Sequence, residues 1–100
     1  MPLIPEGCNL FIVDLEYTAP LEQIEPLMAE HMVFVNKGYE TGLFLASGPK
    51  VPRSGGIILA VSNSKEKLEK LLEEDPFHTQ GVVRYSVTEF HPRRTVAGFD

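Results

Sequence analysis

The chain has 100 residues and a mass of 11.2 kDa, one domain's worth of sequence, with 43% hydrophobic and 23% charged residues. A net charge of −5 and a pI near 5.1 argue against nucleic acid and against an anionic membrane surface, both of which select a basic face. One cysteine, Cys8, leaves no partner for an internal disulfide and excludes a cysteine-cluster metal site. No run approaches the roughly 20 apolar residues of a membrane span, and the N-terminus lacks the basic-then-apolar pattern of a secretory signal. A cytoplasmic location is the plain expectation. The whole chain, 1–100, reads as a single domain, with residues 1–7 as a loose leader and 95–100 as a peripheral tail.

In chain order, Cys8 to Glu16 is rich in β-branched and aromatic residues and carries no breaker, which predicts a first strand. Ala19-Pro20 opens a helix. Pro26 removes a backbone donor, so either the first turn is separate and the main helix starts near Glu25, or the helix bends there. The helix runs to about Thr41, and Gly42 supplies a stop. Leu43 to Ala46 predicts a second strand closed by Ser47-Gly48-Pro49, and Lys50 to Ser54 a loop. Gly55-Gly56 leads into a third strand, Ile57 to Val61. Asn63 or Ser64 can cap a second helix, with Glu66 placed for a capping box from Asn63. Leu68, Leu71 and Leu72 form its apolar stripe. Asp75-Pro76-Phe77 ends that helix and starts one more turn, and Gly81 to His91 predicts a fourth strand stopped by Pro92.

The order βαββαβ is the ferredoxin-like unit of an α+β domain, a four-stranded antiparallel sheet with both helices on one face. In the first strand Phe11, Val13 and Leu15 alternate with Leu10 and Ile12. In the third, Ile57, Leu59 and Val61 alternate with Ile58 and Ala60. Both faces are therefore apolar while the helices cover only one. The uncovered face calls for a second copy of the chain, and a homodimer follows.

Chemistry can reside at few places. His31 has Leu27, Met28, Phe34 and Val35 as its helical neighbours and so projects from the apolar stripe towards the sheet. It is either a core histidine satisfied by local partners or a general acid/base tuned by a carboxylate from another segment. Asp75 is the first candidate for that carboxylate. Asp before Pro also caps a helical turn, and the two roles can coexist because a carboxylate has two oxygens. Asp14, His78 and His91 read as surface groups. No histidine, carboxylate or cysteine pair has metal-ligand spacing. The Ser47-Gly48-Pro49 and Ser54-Gly55-Gly56 turns lack the context of a phosphate loop. Arg53 can meet an anionic substrate or stay solvated. The Lys65, Lys67 and Lys70 run alternates with Glu66, Glu69 and Glu73 and makes a solvated helix face.

Together, Glu30-His31, the Ser47-Gly48-Pro49 turn, the Gly55-Gly56 strand entry and Asp75-Pro76-Phe77 followed by Gly81 resemble the YciI-like (YCII-related) domain family, over nearly the whole chain. The resemblance implies a small dimeric α+β barrel in which His31 and Asp75 form a His-Asp dyad lining a pocket. It also implies cofactor-independent chemistry on a small molecule: elimination of the dehydrochlorinase kind, or lyase or isomerase proton transfer. On that reading His31 is the general base and Asp75 orients it, with Ser47, Gly48 and Arg53 at the pocket mouth and no metal or cofactor. The rival readings are a non-catalytic dimeric module that binds a small ligand or serves a larger enzyme, and a purely structural His31–Asp75 pair.

Overall fold

The structure is a computed structural model that describes residues 3–99; Met1 and Pro2 of the expected leader and Asp100 of the expected tail lie outside the described residues. Strand β1 (Asn9–Tyr17) is followed by a short helix α1 (Leu21–Ile24), a 3-10 turn (Glu25–Leu27) and the long helix α2 (Met28–Glu40). Then come strands β2 (Phe44–Pro49) and β3 (Gly55–Ser62), helices α3 (Lys65–Leu72) and α4 (Pro76–Thr79), and strand β4 (Val83–Phe90). The antiparallel sheet has the order β2-β3-β1-β4, so β1 and β3 are central.

Alternation along the central strands sorts their side chains. Phe11, Val13 and Leu15 of β1 and Ile58 and Ala60 of β3 face the helices and join Ile24, Phe34, Val35, Leu68, Leu72 and Phe77 in one buried core. Leu10, Ile12, Ile57, Leu59 and Val61 take the opposite parity. Ile12, Ile57 and Leu59 there keep partial exposure, whereas Leu10 and Val61 pair across the strands and are buried. The apolar second face read from the sequence is therefore present. Asp14 lies on it too, paired with Lys50 at 2.6 Å and partly exposed.

Three boundaries differ from expectation for a physical reason, beside shifts of one or two residues at the ends of β1, β3 and β4. Both readings of Pro26 are partly realised. Without an N–H, Pro26 cannot extend an α-helical ladder, so Glu25–Leu27 tightens into a 3-10 turn with the proline in its first positions. The main helix then starts at Met28 rather than near Glu25. Ser47-Gly48-Pro49 is strand, not turn: these residues pair with Ile58, Ile57 and Gly56, and Pro49 is tolerated because β2 is an edge strand. The last strand begins at Val83, because Gly81 adopts φ +67° in the turn after α4 and Val82 bonds back to the Phe77 carbonyl.

The helix ends follow local chemistry. Ser64, rather than Asn63 with Glu66, caps α3, its hydroxyl accepting from the Lys67 N–H at 3.2 Å. Leu68 and Leu72 of the α3 stripe are buried and Leu71 half-buried. Gly38 of α2 packs directly on the Phe44 ring, where any Cβ would collide, so helix and sheet meet there at closest approach. Met28 and Met32, nearer the other end of α2, border a cavity instead. No helix among the described residues is long and apolar enough to cross a membrane.

Candidate active site

A cavity of about 520 Å³ opens between α2 and the β2–β3 side of the sheet. Its apolar walls include Leu15, Met28, Met32, Val35 and Ile58, and its polar groups come from His31, Tyr17, Ser47 and Arg53.

His31 reaches it from the second turn of α2, on the stripe with Val35 that turns towards the sheet. Its ring lies flat on Phe77, with centroids 4.0 Å apart and planes within 8°. The Tyr17 ring meets Phe77 edge-on at 6.1 Å. Phe77 is thus a fixed platform that sets the plane of the imidazole. Within that plane, Nδ1 lies 2.8 Å from Oδ1 of Asp75. The His31 side chain is 12% exposed and that of Asp75 0%.

Asp75 is placed by the Asp-Pro-Phe sequence itself. Its backbone is extended, Pro76 begins α4, and Oδ1 caps the turn by accepting from the Phe77 N–H at 3.0 Å. One oxygen therefore both caps the helix and meets the imidazole. The other, Oδ2, accepts from the hydroxyl of Tyr85 on β4. Burial, then the charge of Asp75 and its hydrogen bond, push the Tyr85 phenol above the usual tyrosine range, so it stays a donor. Three donors converge on one carboxylate. An ionised carboxylate is an acceptor only, so Nδ1 carries the proton towards Asp75. Nε2, on the far edge of the ring, has no hydrogen-bond partner among the described residues.

The sequence-derived binding residues all border the cavity. Ser47 contributes its hydroxyl, held 2.7 Å from the Tyr39 hydroxyl, and Gly48 its backbone. Arg53 stands at the mouth on the β2–β3 loop, its Nη1 2.7 Å from Glu25 Oε1. The Glu25 carboxylate, then the Tyr17 hydroxyl, hold the guanidinium pKa above its ordinary value. His78 and His91 are exposed. Among the described residues no three His, Cys, Asp or Glu side chains gather as metal ligands.

Residue-level reading of the sequence missed Tyr85, Tyr17 and Phe77 as site residues. The available signal was parity: Tyr85 shares the core side of β4 with Val83 and Val87, and an inward tyrosine hydroxyl needs a partner.

Sheet order, helix placement and cavity define an α+β chain of the ferredoxin-like arrangement found in dimeric α+β barrel proteins. Within that class the chain belongs to the YCII-related domain family, whose model matches residues 10–91. No curated protein matches its sequence. Among solved structures it is similar to 5-chloro-2-hydroxyhydroquinone dehydrochlorinase (TftG) from Burkholderia phenoliruptrix AC1100, in complex with 2,5-dihydroxybenzoquinone. The TM-score is 0.70 at 16% identity, over 81% of this chain and 92% of that one. It is also similar to SnoaB, a cofactor-independent oxygenase from Streptomyces nogalater, with a TM-score of 0.51 at 12% identity, over 90% of this chain and 97% of that one.

Proposed function

We propose that this chain is a cofactor-independent enzyme that removes a proton from a small hydroxylated ring, with elimination of the dehydrochlorinase kind as the reaction. The observation that carries the reading is the imidazole of His31, hydrogen-bonded at 2.8 Å to a fully buried carboxylate while its ring borders a largely apolar cavity. His31 acts as general base through Nε2, and Asp75 fixes the ring and stabilises the imidazolium that forms. In the keto form of a chlorinated polyphenol, Nε2 takes a proton, the electron pair left behind forms a double bond, and the C–Cl pair departs as chloride. Loss of a proton and chloride balances without an oxidant. The likeness to a dehydrochlorinase of a chlorinated hydroquinone supports this choice, as does the size of the cavity, which is in the range that encloses small molecules.

Arg53 receives a phenolate or other anionic edge by releasing Glu25, while Ser47 and the Gly48 backbone also line the cavity. A second copy covers the open sheet face at Ile12, Ile57 and Leu59, where apolar side chains keep partial exposure. Sedimentation of a dimer supports that part, and a monomer at micromolar concentration removes it.

The test is chloride release from a panel of chlorinated hydroquinones and hydroxyhydroquinones, with the wild type beside His31→Gln. The expected outcome is turnover by the wild type and a loss of roughly 100-fold or more in kcat for the variant, the usual weight of a general base. Ring binding of equal affinity in both proteins, with turnover in neither, would establish a non-catalytic binding module instead.

A further inference from the structure

Asp75 holds more than an imidazole. Its Oδ1 accepts from both His31 and the Phe77 N–H, and its Oδ2 accepts from Tyr85. A carboxylate turns about a broad, two-fold terminal torsion, so on its own it would let either oxygen serve as helix cap. A capping turn alone does not say which oxygen faces α2 or in what plane it lies. Tyr85 removes that freedom. It arrives from a different element, β4, whose register sets Tyr85 opposite Leu15 on the core side of the sheet. The helix turn holds Asp75 from one side and the strand from the other.

We propose that Tyr85 is the positioning residue of this site: its hydroxyl locks Asp75 Oδ2 so that Oδ1 stays on His31 Nδ1 and the free lone pair stays on Nε2. The inference rests on His31 and Asp75 being the working pair. Tyr85 does not border the cavity, so it acts through Asp75 and not on the substrate. Its own surroundings fit the role. Val87 packs beside it against the core, and the His78 ring lies 6.1 Å away without a hydrogen bond to it. Because burial and the neighbouring carboxylate keep the phenol protonated, it donates constantly and takes no proton from Asp75. Asp75 accepts from the Tyr85 hydroxyl and the Phe77 N–H, and a proton on His31 Nδ1 completes the same arrangement.

The experiment reads the His31 Nδ1–H proton by NMR in nitrogen-15-labelled protein, in the wild type, Tyr85→Phe and Val87→Ala. The last variant trims a core-facing side chain of the same strand and leaves the Tyr85 hydroxyl in place. The expected result is that solvent exchange of this proton quickens by about tenfold in Tyr85→Phe, the weight of one hydrogen bond, and by less than about twofold in Val87→Ala. Equal exchange in Tyr85→Phe and wild type overturns the proposal, as does equal acceleration in both variants, because strand loosening then suffices. A wild-type ring with no proton on Nδ1 overturns the working pair itself, a distinct failure. Should Tyr85→Phe not fold, fluorotyrosine in the intact chain serves. Its more acidic phenol pulls harder on Oδ2, and the Nδ1–H resonance moves upfield; an unmoved resonance overturns the proposal.

Discussion

Two polar contacts border the same cavity, and they are built differently. At the inner end, His31 meets Asp75 with side-chain exposures of 12% and 0%; at the mouth, Arg53 meets Glu25 with 39% and 54%. The distances, 2.8 and 2.7 Å, are nearly equal, so distance does not distinguish them. What does is the number of independent elements holding each partner. Asp75 is gripped by α2, α4 and β4 at once. Arg53 and Glu25 reach each other from a loop and a 3-10 turn through flexible, solvated side chains. A contact held from three sides keeps one geometry, whereas one held by two tethers in water exchanges readily. On the function proposed above, the first suits a group that presents one lone pair, and the second a group at the cavity mouth that exchanges partners.

The contrast can be broken most severely at Asp75. Asp75→Ala leaves the imidazole, the Phe77 N–H and the Tyr85 hydroxyl facing a void, and the expected loss is about 3–5 kcal/mol, from three donors deprived of one buried acceptor. Urea unfolding reads it; a loss no larger than that of an exposed pair would mean the inner end is not what holds α4 to the fold.

Tyr85→Phe is the intermediate case, with an expected loss of about 1–3 kcal/mol for a buried acceptor deprived of its donor. Its pH dependence has a definite sign. The folded protein holds the Tyr85 proton more tightly than the unfolded chain does. The stability this contributes is complete below about pH 10, the unfolded tyrosine value, and is lost as pH rises from there towards the raised folded value. Wild type and Tyr85→Phe should therefore converge in unfolding free energy at alkaline pH, and a constant gap between them would contradict the buried-phenol account.

The smallest effect belongs to the mouth. Arg53→Gln should leave the unfolding midpoint unchanged, because an exposed pair of long side chains contributes little in water. If the substrate is anionic, the same variant raises KM with little change in kcat.

Much of this was legible in the sequence because it follows from period and punctuation. Alternation separated Phe11-Val13-Leu15 and Ile58-Ala60 from the residues of the other face, although with both faces apolar it did not say which one the helices cover, and Asp75-Pro76 gave both a helix cap and a candidate partner for His31. The lower reach of β2 was not legible. Ser47-Gly48-Pro49 has turn composition, and only its pairing with Ile58, Ile57 and Gly56 makes it strand, an effect of the neighbouring chain that no local signal carries. The bend at Pro26 was visible as a choice but not its resolution, since how a proline is absorbed depends on what the flanking turns pack against. Tyr85 was hidden for a related reason. Its parity was readable, but its partner lies on α4, and which buried carboxylate receives an inward hydroxyl is decided by tertiary packing.

Which nitrogen of His31 is free decides whether it can serve the cavity as a base. Long-range proton–nitrogen correlation on the labelled wild type, at a pH where the ring is uncharged, separates the two imidazole nitrogens by their chemical shifts. The result the account requires is a protonated Nδ1 and an unprotonated Nε2. A ring carrying its proton on Nε2 would contradict it, because His31 would then present a donor, not a base, to the cavity.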